Sequence, residues 1–582
     1  MKKILAVAFG ALALVCTGVA SATTIGFSED ATKYSDDGGD RLFTEMNKLL
    51  PTMNRVTVLW NADSPTTIQD QAFLDRMIPV AKKHNIEIVF AIYPSKPTQA
   101  PTTPAAADAF CSYAVQVMQR YPYVRKVVIG NEPNQPRFWQ PIWNGTTPAS
   151  PAAMEVVLAS CYDKLKAFDP TLDVIGVGLS PRGNDDPNAS SNSSISPVRW
   201  LAALGKAYRV SGRTKPLWDE FSWHCYPNVN TDEVETGYPW PNTGCVNAAR
   251  VKLALFDAFH GTAQPQLVAY APNTTGTDLF GNTSRMFIDE TGWQVDTSSL
   301  PGYFNTENVP PVSEGQQAID YEKLVHLANC EPTLTAFNIF HEIDEPDRMG
   351  FQSGVLRLDF SERPSAADPT NSVQHAMKTD GGACKGGVWQ TLGSFLYSNI
   401  AVNPLYKTFP YEDPQPLATK MISGGGVYVA LQAGEGFTYS VTFKSGAQTS
   451  PAATGAAPRS AATVKVPNGF GSGTATIVLT AETNPDRTST VTLDLGSGQV
   501  TGGAGGSSGS SGKGKSAAPP KCRKGQKTTK AKPCKGLTRT CVRRSMSNTC
   551  SPSSSCSSPS EPSPSAWWPA PRTGRALSAR MS

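Results

Sequence analysis

Charge is scarce in this chain of 582 residues: Asp, Glu, Lys and Arg make up 17% of it against 39% hydrophobic residues, with 47 prolines, which excludes a coiled coil and a membrane bundle. Long apolar runs are missing as well, since beyond residue 22 none approaches the roughly 18 residues that span a bilayer. There is no GxxxxGK[ST] loop and no GxGxxG after the first apolar run, which argues against phosphate and dinucleotide chemistry. No CxxC or HxxxH spacing supports a zinc site. What is plentiful is aromatic: 23 Phe, 17 Tyr and 11 Trp imply buried surface and exclude a wholly disordered chain. The length suits two or three domains, although a single α/β barrel takes about 250 residues or more.

The net charge of +4 conceals a split. Residues 501–582 hold 15 Lys and Arg against one acid, Glu561, so residues 1–500 carry 37 basic and 47 acidic side chains, a net of −10. An acidic body with a basic tail gives no basis for nucleic-acid binding, while the tail itself suits anionic cell-envelope polymers. Residues 1–22 read as a signal peptide, with Lys2 and Lys3, an apolar run over 4–19 and Ala20-Ser21-Ala22 as the cleavage site. Val15 before Cys16 is not the small residue that a lipoprotein cleavage site needs. The expectation is a secreted, extracellular or wall-associated protein with no membrane span. Export permits disulfides among the body cysteines 111, 161, 225, 245, 330 and 384, of which Cys225 and Cys245 bracket a single loop.

Eight apolar runs, at 24–27, 55–60, 87–93, 126–130, 173–178, 220–224, 285–290 and 335–340, alternate with helical patterns at 40–50, 68–84, 103–121, 151–168, 197–210, 248–259, 313–330 and 365–378. Unbroken runs such as Val127-Val128-Ile129 are what parallel strands covered on both faces look like. The fold class is therefore α/β, a (β/α)8 TIM barrel over residues 23–395. A period of two then takes over in 426–431, 437–442, 475–479 and 490–493, which predicts a small antiparallel β-domain over 415–500 that either binds sugar or packs on the barrel. Residues 501–520 read as a Gly/Ser linker and 521–582 as a disordered, basic, Ser/Pro-rich tail.

Barrel enzymes carry their chemistry just past the carboxyl ends of the strands. The fourth run leads into Asn131-Glu132-Pro133-Asn134, and the seventh ends in Asp289-Glu290 before Thr291-Gly292-Trp293. This resembles clan A of the retaining β-glycosidases, which includes the cellulase-like family 5 and family 39. The resemblance implies Glu132 as acid/base and Glu290 as nucleophile. It further implies that Asn131 holds the sugar 2-hydroxyl, that Arg55 braces the nucleophile, and that His224 and Tyr226 form the clan's His-x-Tyr. Where the clan commonly ends strand eight in tryptophan, this chain has Phe340 and His341, so the sugar platform falls to Phe340, Trp293 or Trp139. Trp143 is a further candidate for stacking outer sugars, and Glu342, Asp344 and Glu345 form an acidic loop suited to a cation, a basic sugar or solvent.

The pair makes chemical sense without the resemblance. Cleaving a glycosidic bond through an oxocarbenium-like transition state needs one carboxyl to protonate the leaving oxygen and one carboxylate to attack the anomeric carbon. Two glutamates suffice, with no cofactor. The sequence therefore predicts a secreted retaining β-glycoside hydrolase acting on a carbohydrate. The alternatives are a transglycosylase with the same two glutamates or a catalytically silent, wall-associated sugar-binding protein.

Overall fold

The computed structural model describes residues 23–265, 285–331, 333–381, 417–432, 436–456, 462–484 and 488–502. Eight parallel strands close a barrel: β1 (Thr24–Ser28), β2 (Met53–Trp60), β3 (Glu87–Pro94), β4 (Lys126–Ile129), β5 (Asp173–Leu179), β6 (Glu220–His224), β7 (Arg285–Glu290) and β8 (Leu334–Ile339), each pairing with the next and β8 with β1. The helices that follow β1 to β7 are α1 (Asp40–Leu49), α2 (Gln71–His84), α3 (Pro104–Arg120), α4 (Ser150–Phe168), α5 (Pro197–Ser211), α6 (Ala248–Phe259) and α7 (Glu314–Asn329). Local chemistry sets several of their ends. The Thr103 and Ser313 hydroxyls accept from the amides of Ala106 and Gln316, each satisfying one orphan donor of a first turn. The pattern over 365–378 predicts one helix, and here the structure differs: a turn at Pro364–Ala367 is separated from α8 (Val373–Asp380). Asp368 precedes Pro369, whose ring disfavours a helical residue before it, and Asp368 takes an extended ψ of 136°.

Strand residues alternate between two cores. Ile88, Phe90 and Ile92 of β3 join the large cluster under the helices, while Val89 and Ala91 join Met53, Val128, Ile175, Phe287 and Ala336 inside the barrel. Following the same alternation one or two steps further along β2, β6 and β7 reaches Arg55, His224 and Asp289, all buried. The barrel interior is thus apolar at one level and ionisable at the next.

The second unit of structure is antiparallel throughout. Strands β9 (Leu417–Ser423), β10 (Gly426–Gln432) and β12 (Ala462–Lys465) form one sheet. In the other sheet, β11 (Phe437–Ser445) pairs with β13 (Thr474–Ala481), which pairs with β14 (Thr488–Asp494), which pairs with β15 (Val500–Gly502). The buried face of β13 alternates strictly, and Val429, Leu431, Val441, Phe443, Ile477, Leu479, Val491 and Leu493 make a core of their own. β15 runs two residues into the segment read as linker. Polar contacts join this second unit to the barrel: Glu482 accepts from Arg199 Nε at 2.6 Å and from Trp240 Nε1 at 3.0 Å, and Thr483 donates to Asp257 at 2.9 Å. Two disulfides join described cysteines, Cys111–Cys161 and Cys225–Cys245, and Cys330 is also disulfide-bonded. Residues 1–22, where the sequence predicts a signal peptide, Cys384 and the tail beyond residue 502 lie outside the described residues. No helix among the described residues is long and apolar enough to cross a membrane.

Candidate active site

The turn after β4 is built to present one side chain. Gly130 has φ +112°, and a Cβ there would stand 2.9 Å from Met154 Cε and 3.1 Å from the Val177 carbonyl, so only glycine fits. Glu132 itself adopts φ +42°, a left-handed conformation that a non-glycine residue holds only when its surroundings over-determine it. Here they do: its amide donates to the Gly178 carbonyl at 2.7 Å, and the neighbouring Asn134 side chain accepts from Ser180 N at 3.0 Å while donating to the Ile195 carbonyl at 2.9 Å.

Glu290, the last residue of β7, is held from two sides. Arg55 Nη1 lies 2.9 Å from Glu290 Oε1, and the Tyr226 hydroxyl donates to Glu290 Oε2 at 3.0 Å. The other Arg55 nitrogen, Nη2, donates to Asn131 Oδ1 at 2.7 Å. His224 Nδ1 sits between the two glutamates, 2.8 Å from Glu132 Oε1 and 3.3 Å from Glu290 Oε2. Those two oxygens are therefore no more than about 6.1 Å apart, the two distances laid end to end. The structure brings Arg55, Asn131, Glu132, His224, Tyr226 and Glu290 together at one mouth of the barrel.

Burial and charge act against each other in this cluster. His224 is fully buried, which disfavours its cation, yet the charges of Glu290 and Asp289, with the hydrogen bond to Glu132, raise it to about 10. Arg55 is likewise penalised by burial and held above the usual guanidinium value by Glu290 and Asp289. Burial pushes the Tyr226 phenol well above its usual value, reinforced by Glu290 and Glu132, so it remains a hydrogen-bond donor. The Tyr93 phenol is pushed by burial up to about 12.

The aromatic platform needs correction. Trp293 is 1% exposed and spends its indole N–H on the Asp232 carbonyl at 2.8 Å; Trp139 is 3% exposed and packs in the main core. Neither offers a ring face to the cleft. Phe340 does remain partly exposed, edge-on to Tyr226 at 6.3 Å and to Phe351 at 4.9 Å, and Trp143 is partly exposed in the loop after β4. The acidic loop after β8 is no open cation site: Asp344 is paired with Arg363 Nη2 at 2.5 Å and Glu342 is fully buried. Among the described residues no group of three or more His, Cys, Asp or Glu could hold a metal ion.

Sequence reasoning passed over Asp289, Ser222 and Gly178. Asp289 lies beside the chosen Glu290 in the same strand, and its signal was a charged residue at an inward position of an otherwise apolar run, Met286-Phe287-Ile288.

No protein-family model and no curated protein matches the sequence. Among solved structures, the chain is similar to a family 39 glycoside hydrolase from the gut symbiont Bacteroides cellulosilyticus WH2, at 14% identity and TM-score 0.40 over 77% of this chain and 79% of that one. It is also similar to a Bacteroidetes-affiliated family 5 cellulase, at 13% identity and TM-score 0.39 over 65% and 94% of the two chains. A third similarity is to the catalytic domain of a family 30 xylanase from Talaromyces cellulolyticus, at 12% identity and TM-score 0.34 over 75% and 91%.

Proposed function

We propose that this chain is a retaining β-glycoside hydrolase that cleaves a polysaccharide or oligosaccharide by double displacement. The observation that carries the reading is the placement of His224 Nδ1 within 3.3 Å of both Glu132 and Glu290, with Arg55 and Tyr226 on the latter. In the first step Glu290 attacks the anomeric carbon while Glu132 gives its proton to the leaving oxygen. In the second, Glu132 takes a proton from water, which attacks the same carbon and frees Glu290. The shared contact with His224 Nδ1 keeps one oxygen of each glutamate within about 6.1 Å of the other, close enough for the short spacing of roughly 5–5.5 Å between carboxyl groups that direct attack uses. Arg55 and Tyr226 hold and aim the Glu290 carboxylate. Asn131, fixed by Arg55, is free on its amide side to meet the sugar 2-hydroxyl, and Phe340 offers the ring beneath it.

Lys2, Lys3 and the apolar run before Ala20-Ser21-Ala22, together with two disulfides, support export. The basic segment beyond residue 502 then places the enzyme near anionic envelope polymers. The test is a screen of the purified protein against aryl β-glycosides and β-linked polysaccharides, with the first-formed product followed by proton NMR. A β-anomer as the first product is expected. An α-anomer would replace the scheme with an inverting one, and no turnover of any substrate would favour the silent sugar-binding protein.

A further inference from the structure

We propose that Asp289 is the positioning residue of this site, fixing His224 and Arg55 from beneath and through them setting Glu132 and Glu290. The inference rests on the glycosidase reading for its kinetic consequence but not for its structural one.

Asp289 is fully buried at the inward-facing position just before Glu290. Its Oδ1 accepts from the Ser222 hydroxyl at 2.9 Å and stands 3.4 Å from His224 Nε2, while its Oδ2 stands 3.7 Å from Arg55 Nη2. Ser222 is held in turn by the amide of Gly178, which donates to its oxygen at 2.9 Å. Gly178 also leaves the room for this contact: at φ +62°, a Cβ there would come within 3.2 Å of His224 Nε2 and 3.3 Å of Asp289 Oδ2. Three strands thus converge on one carboxylate that never reaches the cleft.

A buried carboxylate uncompensated by charge is costly, so this one needs its two cations as much as they need it. The groups facing His224 are Glu132 from the β4 turn, Glu290 and Asp289 from β7, Tyr226 from its own loop and, behind Asp289, Arg55 from β2. When Glu132 carries its proton, Glu290 and Asp289 balance Arg55 and a cationic His224. As the glycosyl ester forms, negative charge leaves Glu290 and arrives on Glu132. His224 Nδ1 touches both oxygens, so a histidine held cationic by Asp289 stabilises the charge at its destination without moving. Without Asp289, His224 would lose its proton more easily and offer Glu132 a weaker partner.

The experiment is a titration of the His224 ring in isotopically labelled protein, assigned with His224→Gln, in the wild type, Asp289→Asn and Ser222→Ala, alongside the pH profile of kcat on an aryl β-glycoside. In Asp289→Asn the His224 midpoint should fall by at least about one unit, as loss of an opposite charge at this range implies, and kcat should fall by about tenfold or more. Ser222→Ala, which keeps the charge and loses one anchor, should shift the midpoint in the same direction by less, and it decides the matter if the Asn variant does not fold. An unchanged His224 midpoint in a folded variant overturns the inference. The ring titration reads the same whether or not the protein hydrolyses a glycoside, so a wild type without turnover would count against the proposed function alone.

Discussion

The Tyr226 hydroxyl donates to Glu290 across 3.0 Å, from a loop residue two positions past the end of β6. Tyr226→Phe removes that one donor and little volume. Hydrogen bonds to charged groups contribute about 1.5–3 kcal/mol, so kcat/KM should fall roughly 10- to 100-fold with the melting temperature nearly unchanged. Because the phenol stays protonated well past its usual value, the wild-type pH profile should show no alkaline limb that Tyr226→Phe removes below pH 10.

Glu132→Ala separates acid help from binding. Substrates with poor leaving groups should slow by about 100-fold or more, while aryl glycosides bearing an activated phenol should slow far less, because only the former need the proton. Parallel loss on both classes, measured as kcat/KM, would mean that Glu132 is not the acid.

The disulfide Cys225–Cys245 closes the loop that carries Tyr226, with Cys225 N donating to the Glu290 carbonyl at 3.0 Å. Replacing both cysteines by serine should cost about 3 kcal/mol on chain-entropy grounds for a loop of this size, read as a lower denaturation midpoint, and should lower kcat through the freed Tyr226. Peptide mapping of the protein purified without reductant should find neither thiol free.

At the opposite end of the barrel Glu220 is fully buried beside Asp173, and burial, then Asp173, raises it to about 8 although Arg285 lies 2.8 Å away. A carboxyl whose folded value is raised above 4.5 contributes stability that is complete below that value and lost as the pH rises through about 8. Glu220→Gln, which keeps the contact from the Thr335 hydroxyl, should therefore flatten the fall in melting temperature between pH 5 and pH 9. The gain at pH 9 should be on the order of 2 kcal/mol, measured by urea denaturation at both pH values.

How much of this was legible beforehand varies with the kind of residue. The barrel strands read clearly because both faces are covered, so Val127-Val128-Ile129 has no polar interruption to confuse it with a surface strand. Glu132 and Glu290 were visible because turn and strand-end positions follow from those runs. Trp139 and Trp293 were misplaced because nothing local says whether an indole near a mouth faces the cleft or the core; the Asp232 carbonyl that takes the Trp293 N–H is 61 residues away in sequence. Asp344 looked like part of a solvated loop because its partner, Arg363, comes 19 residues later. Asp289 was hidden by its neighbour, since the pattern explained Glu290 and left the adjacent charge unasked.

The 15 basic residues beyond position 500 make a separable prediction. Truncation after residue 502 should leave glycoside turnover unchanged and abolish retention on isolated cell walls. In the full chain that retention should fade as added salt shortens the screening length from about 10 Å at 0.1 M to about 3 Å at 1 M. Equal retention of the truncated chain would remove the tail from any account of adhesion.

The central claim is that Glu290 attacks the anomeric carbon, and chemical rescue tests it most directly. Glu290→Ala, assayed on an activated aryl β-glycoside with and without azide, should be inactive alone and regain turnover with azide, which enters from the face that Glu290 vacated and yields the α-glycosyl azide. A variant that retains wild-type turnover, or one rescued only to the β-glycosyl azide, would contradict it.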